Sequence, residues 1–267
     1  MAFYVKLFSE IFQERELLYI LAKRDVSIRY KQTYLGIIWA IIRPVLTMLV
    51  FLFAFKNVAK ISDISGFPIQ LVIFSGVIFW NLFANTFQAV SNSILANNNL
   101  VSKVYFPRLI IAFSSIAVSL FDFIIGLIVY IILSLYLVHT LPITLLLLPI
   151  AVVLTLLFSI GLGLLFCSYS VKYRDFLQMI PLIVQYGFFV SPIVYTAKSL
   201  QISNWFNVYS LVNPLVGIVE YARILLIPGY SVLNFDFIYL SICTCFIIFL
   251  MGIYVFTKKE SSFVDYL

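Results

Sequence analysis

Six stretches of this sequence run for roughly 20 residues or more with almost no charge, and that pattern restricts the fold more than any other feature. They occupy residues 35–55, 68–90, 109–138, 143–169, 177–195 and 235–256. A hydrocarbon core about 30 Å thick is crossed by roughly 20 apolar residues in α-helix. Inside lipid every backbone N–H and C=O needs an internal partner, so a crossing segment is either a helix or a strand of a closed barrel. The period-two alternation of barrel strands is missing here, which leaves helices. Composition agrees: 63% of the residues are hydrophobic and 10% charged, against about 25% charged in a soluble domain. The expectation is an all-α membrane protein with six transmembrane helices. It has one membrane domain over residues 35–256, a cytoplasmic segment over 1–34 and a cytoplasmic tail over 257–267.

The net charge of +6 does not point to nucleic acid, because the basic residues cluster at the ends of the apolar runs. Lys6, Arg15, Lys23, Arg24, Arg29, Lys31, Lys103, Arg108, Lys172, Arg174, Lys258 and Lys259 fall on one side of a six-span path. Lys56, Lys60, Lys198 and Arg223 fall on the other. The positive-inside rule then places both termini in the cytoplasm. The first 34 residues are too rich in charge for a cleavable signal peptide. Cys167, Cys243 and Cys245 sit within apolar runs without metal-ligand company and read as small buried hydrophobes.

Two regions break the simple pattern. Residues 9–33 carry Ile11, Leu18, Leu21, Ala22 and Ile28 with charges between them. That spacing fits an amphipathic helix on the cytoplasmic membrane face, or else a solvated helix. Residues 205–230 are apolar but interrupted by Pro214, Gly217, Pro228 and Gly229, with Glu220 and Arg223 in the middle. Two short external helices, re-entrant or interfacial, fit this stretch, and residues three apart on a helix share a face, so Glu220 and Arg223 are expected to pair. Asp122, deep in the third span, either faces a polar conduit or bonds a Ser or Thr on a neighbouring helix. Arg29 and Lys31 sit where they hold anionic headgroups or simply set topology. The two halves show no sequence repeat, which argues against an inverted-repeat transporter.

Several strings occur in an order that resembles a known family. Arg29-Tyr30-Lys31-Gln32-Thr33 leads into Leu35-Gly36, Trp39-Ala40 and Pro44. Lys103-Val104-Tyr105-Phe106-Pro107-Arg108 precedes the third span, and Tyr173-Arg174-Asp175 follows the fourth. Ser191-Pro192-Ile193-Val194-Tyr195 closes the fifth, with Asn213-Pro214 beyond it. Together they resemble the ABC-2 type permeases of polysaccharide and polyol-phosphate exporters, with their type V exporter architecture. Arg43 stands at a position variable in that family and takes no role from it.

The resemblance implies a membrane subunit that moves a lipid-linked polysaccharide (O-antigen, capsule or teichoic acid) across the cytoplasmic membrane as a homodimer with two copies of a separate ATPase. An ABC-2 exporter of a drug or small lipid is the alternative on the same fold. It further implies ATPase coupling through the loop at 91–108, with Asn98, Asn99, Lys103, Tyr105, Phe106, Pro107 and Arg108. Arg29, Tyr30 and Lys31 are expected at the membrane interface. Tyr34, Trp39, Asp122, Tyr195, Glu220 and Arg223 are candidates for the substrate path or its gate. The residues themselves support a docking loop there: a short helix flanked by long spans, rich in Asn and stopped by Pro107, projects toward a partner's groove.

The sequence contains no Gly-Lys dipeptide and hence no phosphate-cradling loop, so ATP and Mg²⁺ are expected on the partner and no cofactor on this chain. It has no Asp-x-Asp motif and no pair of carboxylates within a span, and its single histidine, His139, lies in a short turn. An embedded enzyme has no support. Aromatic side chains make up 18% of the chain, and Tyr130, Tyr136, Tyr169, Tyr173, Tyr186 and Tyr195 either line a sugar path, where rings stack on the apolar faces of sugars, or serve as belt and packing residues. The topology has a direct test. A cysteine introduced at Lys258 is expected to react with an impermeant maleimide only from the cytoplasmic face, and labelling from outside alone refutes the arrangement.

Overall fold

A computed structural model describes residues 13–31, 36–58, 63–64, 66–103, 106–196, 206–232 and 235–263. Within them, each long apolar run is a helix. We number the helices α1 Arg15–Lys31, α2 Ile38–Phe53, α3 Ile69–Ala96, α4 Asn98–Val101, α5 Leu109–Ser114, α6 Ile116–Val138, α7 Leu148–Ser170, α8 Asp175–Val190, α9 Phe206–Val212, α10 Leu215–Leu226 and α11 Asp236–Lys259. A π-helical turn, Ala54–Val58, extends α2, and a 3-10 turn, Ile143–Leu147, leads into α7. A two-residue hairpin, β1 Asp63–Ile64 with β2 Phe67–Pro68, connects α2 to α3 and pairs Ile64 with Phe67. Gly66 adopts φ +84° in its turn, a conformation that costs glycine little.

Five of these units are long and apolar enough to cross a bilayer: α2 with its π turn, α3, α5 with α6, the 3-10 turn with α7, and α11. The expected fifth span, 177–195, is instead the 16-residue α8, which ends at Val190. Pro192 explains the early stop, because the residue before a proline is pushed out of the helical region. Ser191 accordingly sits at φ −83°, ψ 151°. At about 1.5 Å per residue, α8 is shorter than a hydrocarbon core. Pro44 lies buried inside α2, where its ring removes the hydrogen bond to the carbonyl four residues earlier. The broken stretch at 205–230 forms α9 and α10, which meet at 98°. Asn213 and Pro214 make the bend: the Asn213 amide donates to Ser191 Oγ at 2.9 Å, and its carbonyl oxygen accepts from the Leu215 N–H at 3.3 Å.

Burial runs against apolarity. The central helix α3 is buried along 83% of its most apolar stretch, yet its mean hydropathy of 1.5 is the lowest of the five crossing units. α2, with a mean hydropathy of 2.2, is only 17% buried. In lipid, hydrophobicity does not drive helices together; close packing and polar groups do. α3 therefore carries the small and polar residues, and Ser75 and Ser93 return their hydroxyls to carbonyls of their own helix. The tightest approach is between α7 and α11. A Cβ added at Gly161 would lie 2.6 Å from Phe249 Cα, and one at Gly252 would strike the Gly161 carbonyl.

The N-terminal helix α1 packs on α5 and α6 and buries Leu21 among Ile94, Phe106 and Leu109. Ile28, expected on the same apolar stripe, points outward and is exposed, while Ile11 lies outside the described residues. At the other terminus, α11 continues past the expected span end to Lys259, and Phe263 is buried with its ring 5.2 Å from Phe256.

Candidate functional site

Polar chemistry gathers at both ends of the helix bundle. At the end that carries α1, a cavity of about 200 Å³ opens between α1, α2, α3 and α6. Arg29 and Tyr30 line it from α1, Gly36, Trp39, Arg43 and Pro44 from α2 and the residues before it, Asn81 and Asn85 from α3, and Ser119 and Asp122 from α6. The Arg29 guanidinium meets the Asp122 carboxylate at 2.7 Å, and the Tyr30 hydroxyl donates to the other carboxylate oxygen. Tyr30 also packs on Phe121, with ring centroids 5.1 Å apart. Desolvation raises the Tyr30 phenol above its ordinary range, and the hydrogen bond to Asp122 raises it further, so it stays a neutral donor. The Arg43 cation lies 5.8 Å above the Trp39 ring.

Of the two readings of Asp122, the structure favours the polar cavity: its partners are Arg29 and Tyr30 of the N-terminal helix, not a Ser or Thr of a neighbouring span. Arg29 and Tyr30 are engaged with the bundle and remain partly exposed, and Lys31 is exposed. The physical reason is the cost of a carboxylate at membrane depth, which is offset best by a cation with matching hydrogen bonds. Tyr34 lies outside the described residues.

At the opposite end, Glu220 and Arg223 pair at 2.6 Å on α10, and both side chains are fully buried. Arg223 does more than neutralise Glu220. Nη1 also donates to the Tyr195 carbonyl at 2.9 Å, and Nη2 donates to the carbonyls of Ile193 at 2.8 Å and Val72 at 3.3 Å. The second Glu220 oxygen accepts from the Tyr230 hydroxyl at 2.6 Å. Val72 belongs to the first turn of α3, and Ile193 and Tyr195 to the irregular segment after α8. One guanidinium thus ties three chain segments together. Gly76 permits the approach, since a Cβ there would lie 2.5 Å from the Ile193 carbonyl oxygen. Tyr195 itself donates to the Val190 carbonyl at 2.8 Å and lies 3.2 Å from the Tyr209 hydroxyl.

The loop between α3 and α5 divides into an exposed tip and an anchored root. Asn98, Asn99 and Lys103 are exposed at and just beyond the one-turn helix α4. Phe106, expected to face a partner, is turned inward and buried against the apolar cluster around Ile110 and Phe256. Pro107 is half-buried, and Arg108 is held by Glu260: its backbone N–H donates to Glu260 Oε1 at 2.9 Å and its guanidinium to the Glu260 carbonyl. Arg24 of α1 donates to Asn97 at 2.8 Å, so the N-terminal helix and the loop are joined. Tyr105 lies outside the described residues.

A sequence profile described as ABC-2 type transporter matches residues 16–227 of this chain. The chain belongs to the ABC-2 type transporter family. The match runs from α1 through α10, so both polar clusters and the α3–α5 loop lie within the ABC-2 membrane region. Curated relatives match over nearly their full length. The O-antigen export system permease protein RfbA of Klebsiella pneumoniae is 27% identical over 94% of this chain and 95% of its own. RfbA of Myxococcus xanthus is 26% identical over 80% and 82%. The polysialic acid transport protein KpsM of Escherichia coli is 28% identical over 90% and 92%.

Sequence reasoning did not single out Asn81, Asn85 or Glu260. The two asparagines stand four apart inside an apolar run and so share a helix face, which was a readable signal. Nothing local to Glu260 marks it as the partner of Arg108, 152 positions away.

The buried network of this ABC-2 chain makes a prediction. Arg223→Ala removes the cation that faces Glu220 and frees three carbonyls, which costs about 3–5 kcal/mol. The variant is expected at clearly reduced abundance in membranes and with a lower melting temperature in detergent. The pair Glu220→Gln with Arg223→Met is expected to recover part of the loss. Single variants as stable as the wild type would show that the network contributes nothing.

Proposed function

We propose that this chain is the membrane permease of an ATP-driven exporter that moves a lipid-linked polysaccharide across the cytoplasmic membrane. The observation that carries the reading is the family match over residues 16–227, joined by relatives named as O-antigen and polysialic acid permeases that align along nearly their whole length. α2, α3, α5 with α6, α7, α11 and, as the sixth, the short α8 continued by the irregular residues 191–196 make six crossings, with α9 and α10 re-entrant on the outer side. Both termini then lie in the cytoplasm, in keeping with the Lys and Arg asymmetry. The cavity at the α1 end is cytoplasmic in this arrangement, and the Arg223 network is external.

Two copies of the chain work together with two copies of a P-loop ATPase, which carries the ATP and Mg²⁺; this chain needs no cofactor. The dimer forms through α2 and α8. These helices are neighbours, with the Phe51 and Phe188 rings stacked 5.3 Å apart, and they turn Leu46, Leu49, Leu182 and Phe189 outward. A two-fold pair of such faces is the commonest way to close an assembly. The ATPase meets the tip at Asn98, Asn99 and Lys103. The root at Arg108 and Glu260, with the Arg24–Asn97 link, carries its motion to α5, α11 and α1.

Deleting the gene is expected to remove the surface glycan and leave lipid-linked glycan inside the cell, and the wild-type gene should restore it. A permease with Asn98, Asn99 and Lys103 all changed to Ala is expected to reach wild-type abundance without restoring the surface glycan. Surface glycan that persists at normal levels in the deletion strain contradicts the proposal.

A further inference from the structure

The cavity at the α1 end carries a charge that its described lining does not balance. Two guanidinium groups line it, those of Arg29 and Arg43, against the single carboxylate of Asp122. Arg29 is already paired with Asp122. Among the described residues Arg43 pairs with no carboxylate. It is exposed, its nearest aromatic partner being the Trp39 ring. A cation placed within an apolar span is costly and is retained where a counter-charge meets it. From the facing side, Asn81 and Asn85 are half-buried and lie four apart on α3, which sets two amides on one face of the cavity.

We infer that this cavity binds the phosphate-ester head of a lipid, held by Arg43, Arg29 and the amides of Asn81 and Asn85. Guanidinium groups match phosphate oxygens in two-point hydrogen bonds, and side-chain amides supply further neutral donors. At about 200 Å³ the space is smaller than the roughly 300–1,000 Å³ of sites that enclose drug-sized ligands. It therefore takes a head of one or two phosphoryl groups and leaves the tail and any glycan outside. Asp122 is the resident counter-ion: it holds Arg29 in the empty cavity and yields it when a stronger, doubly charged anion enters. That exchange loosens α1 from α6, because Arg29 and Tyr30 are the polar ties between them. The site rests on the cavity; its assignment to a substrate step rests on the exporter reading above.

The test uses the full-length permease in nanodiscs of neutral phosphatidylcholine. Farnesyl diphosphate is titrated and binding is followed by native mass spectrometry. Saturable binding is expected, weakened roughly tenfold or more in Arg43→Gln, since hydrogen bonds to a charged group are stronger than those between neutral ones. Arg29→Gln should weaken binding too, but it orphans Asp122, so Arg43→Gln, which breaks no ion pair, is the decisive variant. Phosphatidylglycerol that competes with the diphosphate identifies a bilayer headgroup as the source of the anion. Failure to compete identifies a lipid-linked diphosphate. Wild-type affinity in Arg43→Gln, with an unchanged melting temperature, overturns the site. Surface glycan is scored in parallel with the wild-type gene and its deletion. Binding lost in the variant while the deletion leaves surface glycan intact keeps the site and rejects the exporter reading. Binding unaffected by the variant while the deletion abolishes surface glycan does the reverse.

Discussion

Arg223 is the interaction on which the α10 end of this molecule depends. A chain that leaves helical geometry within a membrane exposes carbonyls that lipid cannot hydrogen-bond, and such segments persist only where protein covers them. Here the segment after α8 turns irregular at Ser191, and α9 meets α10 at 98°. Arg223 donates to carbonyls from that segment and from the first turn of α3, while Glu220 balances its charge and in turn accepts from Tyr230. Without a buried guanidinium at this point the carbonyls of Val72, Ile193 and Tyr195 would lose their shared donor.

The α1 end solves the same problem with opposite parts. There the costly group is a carboxylate, Asp122, and the cation and the phenol come from α1, a helix outside the spans. The helix is also tied to the α3–α5 loop through Arg24 and Asn97. Motion imposed on the loop therefore reaches α1 and, through α1, the cavity. The two ends are joined by α3, whose first turn carries Val72, whose middle carries Asn81 and Asn85, and whose last turns lead to Asn97. Its low hydropathy and deep burial express one fact: a helix surrounded by other helices is chosen for fit and polarity, not for apolarity.

Much of this was legible in the residues. Uninterrupted apolar runs gave the crossing helices, because a backbone in lipid has few other options. The prolines and charges of residues 205–230 pointed to a broken helix pair, and the three-residue spacing of Glu220 and Arg223 to their pairing. What stayed hidden depended on contacts between distant segments. Asp122 marked itself as costly, but no local pattern names a partner 92 or more positions away on another helix. Phe106 sat in a loop that read as a docking surface, yet its own bundle offered the better apolar neighbour. The end of α8 was misplaced by counting apolar residues where Pro192 should have been given more weight.

The central claim is that this chain, driven by a partner ATPase, passes a lipid-linked glycan through the membrane. The most direct measurement reconstitutes the permease with that ATPase in proteoliposomes loaded with the lipid-linked glycan, and follows the glycan's susceptibility to an impermeant glycosidase on the far face. The account predicts that glycan becomes susceptible only when ATP and a hydrolysis-competent ATPase are both present. Susceptibility that develops equally without ATP, or protection that persists throughout active hydrolysis, would contradict it.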